Sequence, residues 1–194
     1  MRIENLDAYT EKLIDVLKRT EISKGDIKYN YEDGIKLLVD IFTEKKKAGS
    51  KVYFIGNGGS AAIASHMTAD FMKNGGMNTV SLYDNAVTTC MGNDYGYEHV
   101  FSKPLSFLAG KGDLLVAISS SGKSQNIINS IDVAMEKGMS IISFTGFSDD
   151  NPARRISDVS VYIPSHKYGI VESIHNLILQ EIVDLIMECD GVSL

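Results

Sequence analysis

A three-layer α/β/α sandwich around a mostly parallel five-stranded sheet, preceded by two N-terminal helices, is the fold class the sequence predicts. Three observations carry it. Short β-branched runs recur at 51–55, 79–82, 113–118, 140–144 and 159–163, each followed by Gly, Ser, Asn or Pro. Helical stretches stand between most of them, and strands alternating with helices imply right-handed crossovers onto a parallel sheet. The length of 194 residues, 44% hydrophobic and 23% charged, suits one domain with one core.

Taken in order, residues 3–19 place Ile3, Leu6, Leu13 and Leu17 on one stripe with charged residues between them, the pattern of an amphipathic helix. A break containing Gly25 follows. Ile35, Leu38, Ile41 and Phe42 then recur at helical spacing, and Lys45, Lys46 and Lys47 close that helix favourably for its dipole before Gly49. Two such stripes exceed what one small sheet covers. Residues 1–50 are therefore expected to form a helical pair used in oligomerisation, with the sandwich in 51–194 and a homotetramer as the assembly. Further helices are expected at about 60–74, 85–92, 98–108, 123–137 and 170–189.

Charge narrows the partners. The formal net charge of −6 and a pI near 5.2 speak against direct nucleic-acid binding and against anionic membranes. Residues 1–50 hold ten basic and ten acidic side chains, so the net charge lies in the remainder, and an anionic ligand there needs local donors. Cys90 and Cys189 lack CxxC spacing and read as unpaired thiols of a reducing compartment. With a charged N-terminus and no long apolar run, the expected location is the cytoplasm.

In an open parallel sheet the ligand lies beyond the carboxyl ends of the strands. After the first of the five runs come Gly56, Asn57, Gly58, Gly59 and Ser60. Glycines let the backbone approach a ligand closely, and the N–H groups opening the next helix can hold an anion. The segment matches neither a dinucleotide fingerprint nor a phosphate loop with its lysine, so no nucleotide cofactor is expected. After the third run Ser119, Ser120, Ser121, Gly122, Lys123 and Ser124 crowd four hydroxyls into one strand-to-helix corner. One helix cap uses one hydroxyl, whereas four form a cradle for a phosphate monoester.

These two corners, with Asn93 and Asp94 after the second run and Thr145 and Gly146 after the fourth, resemble the sugar isomerase (SIS) fold, and in particular its phosphoheptose isomerases. The resemblance spans nearly the whole chain. It implies isomerisation of sedoheptulose 7-phosphate to a heptose 7-phosphate for surface-polysaccharide biosynthesis, a homotetramer with its site between subunits, and zinc in some members. Carried onto this sequence, it makes Asn57, Gly58, Gly59 and Ser60 sugar contacts, Ser119, Ser120, Ser121 and Ser124 phosphate contacts, and Asn93 and Asp94 holders of sugar hydroxyls. His66 matches a metal-site histidine, with Asp70 four residues on along the same helical face.

Three positions depart from that pattern. Asp70 stands for the catalytic Glu, Glu172 for a Gln, and Gln180 for the His that serves as second acid or base. An amide cannot titrate, so the proton role passes to Asp70 as first candidate, then to Glu172 or His175. The resemblance further implies that His66, Asp70, Glu172 and Gln180 converge, one nitrogen and three oxygens suited to a divalent metal, zinc foremost. A second branch of the family, lacking the same Glu and His, binds the replication initiator DnaA as a non-catalytic scaffold and is the alternative reading. Of the remaining histidines, His99 reads as a surface or cap residue and His166 as a neighbour of the functional sheet edge.

Overall fold

Seven strands, not five, build the sheet of the computed structural model, which describes residues 6–192. After helix α1 (Leu6–Lys18), β1 (Glu21–Lys24) and β2 (Ile27–Tyr29) form a hairpin. Helix α2 (Tyr31–Lys47) leads to β3 (Lys51–Gly56), α3 (Gly59–Lys73), β4 (Asn78–Val80), α4 (Asn85–Tyr95), a 3-10 turn (Tyr97–His99) and α5 (Ser102–Leu108). Then come β5 (Leu114–Ser119), α6 (Gln125–Lys137), β6 (Ser140–Thr145), α7 (Pro152–Ile156), β7 (Val159–Tyr162) and α8 (Tyr168–Cys189). The strand order is β2-β1-β7-β6-β5-β3-β4. The five predicted strands are the parallel ones, and the hairpin adds two antiparallel strands beyond β7.

The hairpin adds two strands between the two helices expected in residues 1–50. Its strands are four and three residues long and rich in charge, which hides them from a period-2 pattern. The register Lys24↔Ile27 leaves a two-residue loop, and Gly25 at φ +56 supplies the left-handed conformation that such a loop needs. Helix α2 packs into the core of the chain. Ile35, Leu38 and Phe42 are 4%, 0% and 0% exposed within the one chain, so the second stripe is already covered and does not call for a partner. Ile3 lies outside the described residues; Leu13 and Leu17 pack half-buried on the core.

Both faces of the sheet are buried, as a parallel sheet requires. On one face, Phe42, Phe54 and Phe71 meet with centroids 4.7 to 6.4 Å apart, joined by the inner side of α8 from Ile170 to Ile186. On the other, Leu105, Ile127 and Ile131 cover Tyr53, Leu115 and Ala117. Helix α7, absent from the predicted elements, is held by Asn151, whose side chain accepts from the Arg154 N–H, with Pro152 at its first turn. Helix α4 has no buried residue at all.

Candidate active site

Three helices begin at one place. Gly59 opens α3, Ser124 caps α6 and Tyr168 opens α8, and all three line a cavity of about 270 Å³ together with Asn57, Gly58, Ser60, Ser119, Ser120, Ser121 and Glu172. Each helix start carries unpaired N–H groups and the positive end of a peptide dipole, so their convergence makes an anion site without a lysine. Every glycine and serine expected to contact the sugar or its phosphate is on this wall.

The serine corner keeps its hydrogens for a ligand. Ser119 Oγ accepts from the Gly122 N–H (3.2 Å) and Ser121 Oγ from the Lys123 N–H (3.3 Å), which fixes both oxygens and leaves both O–H groups to donate. Ser124 makes no side-chain cap bond. Ser120 is 4% exposed and its Oγ has no hydrogen-bond partner, an orphan that a phosphate oxygen would satisfy. The loop closes on Gly122, at φ +61, where a Cβ would lie 2.0 Å from Asn151 Oδ1. At the facing corner Ser60 is no cap; Gly58, at φ +57, holds that position.

Among the described residues, Glu172 is the one carboxylate on the cavity wall. It comes so near the start of α3 that a Cβ on Gly59 would stand 2.4 Å from its Oε2; the missing side chain makes room for the carboxylate. Glu172 and Gly59 also line a second, larger groove of about 890 Å³, which runs between α3 and α8 past Ile63, Leu177, Gln180 and Leu185. Gln180 lies there with its Nε2 donating to Asp184 (3.1 Å).

The four residues expected to converge are found as two halves. His66 Nε2 stands 3.6 Å from Asp70 Oδ2, and Asn74 Nδ2 donates to Asp70 (3.4 Å), while Glu172 and Gln180 share the groove. Asp70 is eleven residues beyond Gly59, roughly 16 Å along α3, and does not line the serine cavity. Among the described residues no three His, Cys, Asp or Glu side chains group closely enough to hold a metal. The four side chains expected to converge therefore do not form a metal-binding group within the described residues of one chain.

Other expectations are placed as follows. Asn93 and Asp94 sit exposed in the last turn of α4, bonded to each other (2.8 Å), away from the cavity wall. His175 cannot carry protons for a ligand: it is 0% exposed, packs edge-on against Phe144, and bonds Thr145 O through Nε2 (3.1 Å). Burial pulls its pKa down to about 4, only partly countered by that bond. His99 bonds Ser102 Oγ (3.1 Å) near the start of α5, and His166 stacks on Phe147 (5.9 Å) beside the sheet edge. Cys90 and Cys189 are free and exposed.

Sequence reasoning missed the residues that brace the site. Asn57 and Asn126 exchange amide hydrogen bonds (both 2.9 Å), and Tyr97 Oη donates to Asn57 Oδ1 (3.0 Å). Tyr83 Oη accepts from Gly56 N–H (2.7 Å) and donates to Gly56 O (2.9 Å), pinning the end of β3. No local motif marks these partners, which lie 27 to 69 residues apart in sequence; the Asn126 position, one residue into the helix behind the serines, is the only signal a reader could have followed.

Comparison with known proteins agrees with the fold. A SIS domain family model matches residues 8–146. The phosphoheptose isomerase of Sodalis glossinidius is 40% identical over 159 residues, covering 76% of this chain and 79% of that protein. The phosphoheptose isomerase of Glaesserella parasuis is 31% identical over 187 residues, 92% of this chain and 96% of the other. Among solved structures, the phosphoheptose isomerase of Neisseria gonorrhoeae superposes with a TM-score of 0.81 at 29% identity, covering 96% of this chain and 97% of that one.

Proposed function

The chain belongs to the SIS-domain family of phosphoheptose isomerases and is a phosphosugar isomerase, and from that premise we propose that it interconverts sedoheptulose 7-phosphate and a heptose 7-phosphate in the cytoplasm, as a homotetramer serving surface-polysaccharide biosynthesis. One observation carries the reading: a single cavity is lined by three helix N-termini, by unspent serine hydroxyls and by the carboxylate of Glu172.

Aldose–ketose isomerisation through an enediol moves a proton between adjacent carbons and needs a base within reach of both. The phosphate is held by the O–H groups of Ser119, Ser120, Ser121 and Ser124 and by the N-terminus of α6. Asn57, kept in one orientation by Asn126 and Tyr97, takes a sugar hydroxyl. Glu172 takes the proton from one carbon and returns it to the next, while the hydroxyl proton passes from the oxygen that becomes the new carbonyl to the oxygen of the old one. The negative charge that develops on the enediol is stabilised by the N-terminus of α3, against which Glu172 rests. Asp70, first in line from the sequence, becomes second because it stands off this wall. His66 and Asp70, the pair expected to hold a divalent metal, stand off this wall together, and no step is routed through a metal.

Turnover of sedoheptulose 7-phosphate tests the assignment. Glu172→Gln abolishes isomerisation while the phosphosugar still binds, and Asp70→Asn leaves turnover within a few-fold; the reverse ranking gives the proton role to Asp70. Ser120→Ala raises KM roughly tenfold or more, since a hydrogen bond to a charged acceptor contributes about 1.5–3 kcal/mol. The scaffold alternative is not favoured, because the relatives compared are isomerases and the serine cavity is intact. A wild type that turns over no ketose phosphate, with or without divalent metal, would restore it.

A further inference from the structure

The antiparallel edge of the sheet carries a second polar cavity, of about 500 Å³, which shares no lining residue with the serine corner. Strand register lays its floor. Lys28 pairs with Ser23 across the hairpin, and Ser23 with Ser160 across β1 and β7, so three polar side chains stand in a row on one face. Ser160 is 3% exposed, and its Oγ has no hydrogen-bond partner although the residue is part of the cavity wall. A buried orphan hydroxyl beside a cavity points to a ligand that completes it.

The opposite wall is α7. The Arg154 side chain is 13% exposed, donates to Glu21 Oε2 (2.8 Å) and lies 4.3 Å over the Tyr162 ring, so its planar guanidinium is held in place before any ligand arrives. The same Glu21 oxygen takes Lys28 (3.2 Å), so one carboxylate serves two cations. Arg155 lines the cavity from the next position, and Asp26 and Asp149 complete the polar wall. Cations and an orphan hydroxyl suit the oxygens of a phosphate ester, and carboxylates suit the hydroxyl groups attached to it. Through α7 this wall is joined to the serine loop, since the Ala153 N–H donates to Gly122 O (3.1 Å).

We propose that this cavity is a second binding site, for a phosphorylated polyol, separate from the isomerisation site. It does not rest on the isomerase reading, because no residue is shared.

Calorimetric titration of the full chain with glucitol 6-phosphate, which has no carbonyl to isomerise, is the test at physiological ionic strength. Two binding events per chain are expected. Lys28→Ser with Arg155→Ser, both surface changes, removes one event; Ser120→Ala with Ser124→Ala weakens the other at least tenfold. Ser160→Ala weakens only the first of these. A single event per chain, lost in the serine variant and unchanged in the Lys28/Arg155 variant, overturns the proposal and leaves the isomerase reading standing. Equal binding of unphosphorylated glucitol at the hairpin cavity also overturns it. Survival of the hairpin event alone would instead remove the serine corner as phosphate site.

Discussion

Gly59 is where one missing carbon decides the chemistry. As the first residue of α3 it could be alanine by helix propensity, which favours Ala over Gly by roughly 1 kcal/mol in helix interiors. Space forbids it, because the Cβ would stand 2.4 to 2.7 Å from the three carboxyl atoms of Glu172. The carboxylate is the end of a flexible side chain and yields, so the fold survives while the base moves. Gly59→Ala is therefore expected to lower kcat by tenfold or more with the melting temperature unchanged or slightly raised. A geometric shift of about 1 Å at a reacting group is enough for such a loss. Full activity in this variant would separate Glu172 from the proton step. The glycines and serines of both corners were legible in the sequence because their conformational and hydrogen-bonding reasons are local. Asn126, Tyr97 and Tyr83 were not, because an amide or phenol gains its meaning only from a partner brought near by the fold.

At the scale of elements, the five parallel strands announced themselves through their apolar β-branched runs, and the edge hairpin did not. Lys28 breaks the pattern on the outer strand β2, which leaves an open edge that charge protects, and Glu21 and Lys24 break it at the two ends of β1. The long helix α8 reads as apolar from Ile170 to Ile186, yet it buries His175 in the middle of that side. With a pKa of about 4 in the fold and about 6.5 in the unfolded chain, His175 binds more protons unfolded than folded between those values. Stability then rises with pH across this window: it is fully present above pH 6.5 and is lost as the pH falls towards 4. The loss at pH 5 is about 2 kcal/mol from this group alone. Urea unfolding at pH 7 and pH 5 measures it, and His175→Gln, which cannot charge, is expected to lose that part of the pH dependence. An unchanged dependence in the variant would place the acid sensitivity elsewhere.

For the whole molecule, the reason for assembly differs from the one the sequence offered. The stripe of α2 is spent inside the chain, but the groove along α8 leaves Leu177 40% exposed beside half-buried Leu185, and α4 buries nothing. Tyr9 and Ile14 on α1 are exposed as well, at 54% and 43%. A helix without a buried face does not hold its place by packing within one chain, and apolar side chains rimming an open groove are the usual surface of a subunit contact. The groove shares Glu172 and Gly59 with the serine cavity, so a neighbour seated in it would close the solvent side of the proposed base and exclude water from the enediol. Assembly and turnover should therefore fail together. Light scattering is expected to give the mass of a tetramer for the wild type and a smaller species for Leu177→Glu, which places a charge in the contact. That variant should lose isomerisation while its serine corner, built from one chain, still binds glucitol 6-phosphate. A monomeric wild type, or a dissociated variant with full turnover, would show that one chain closes the site by itself.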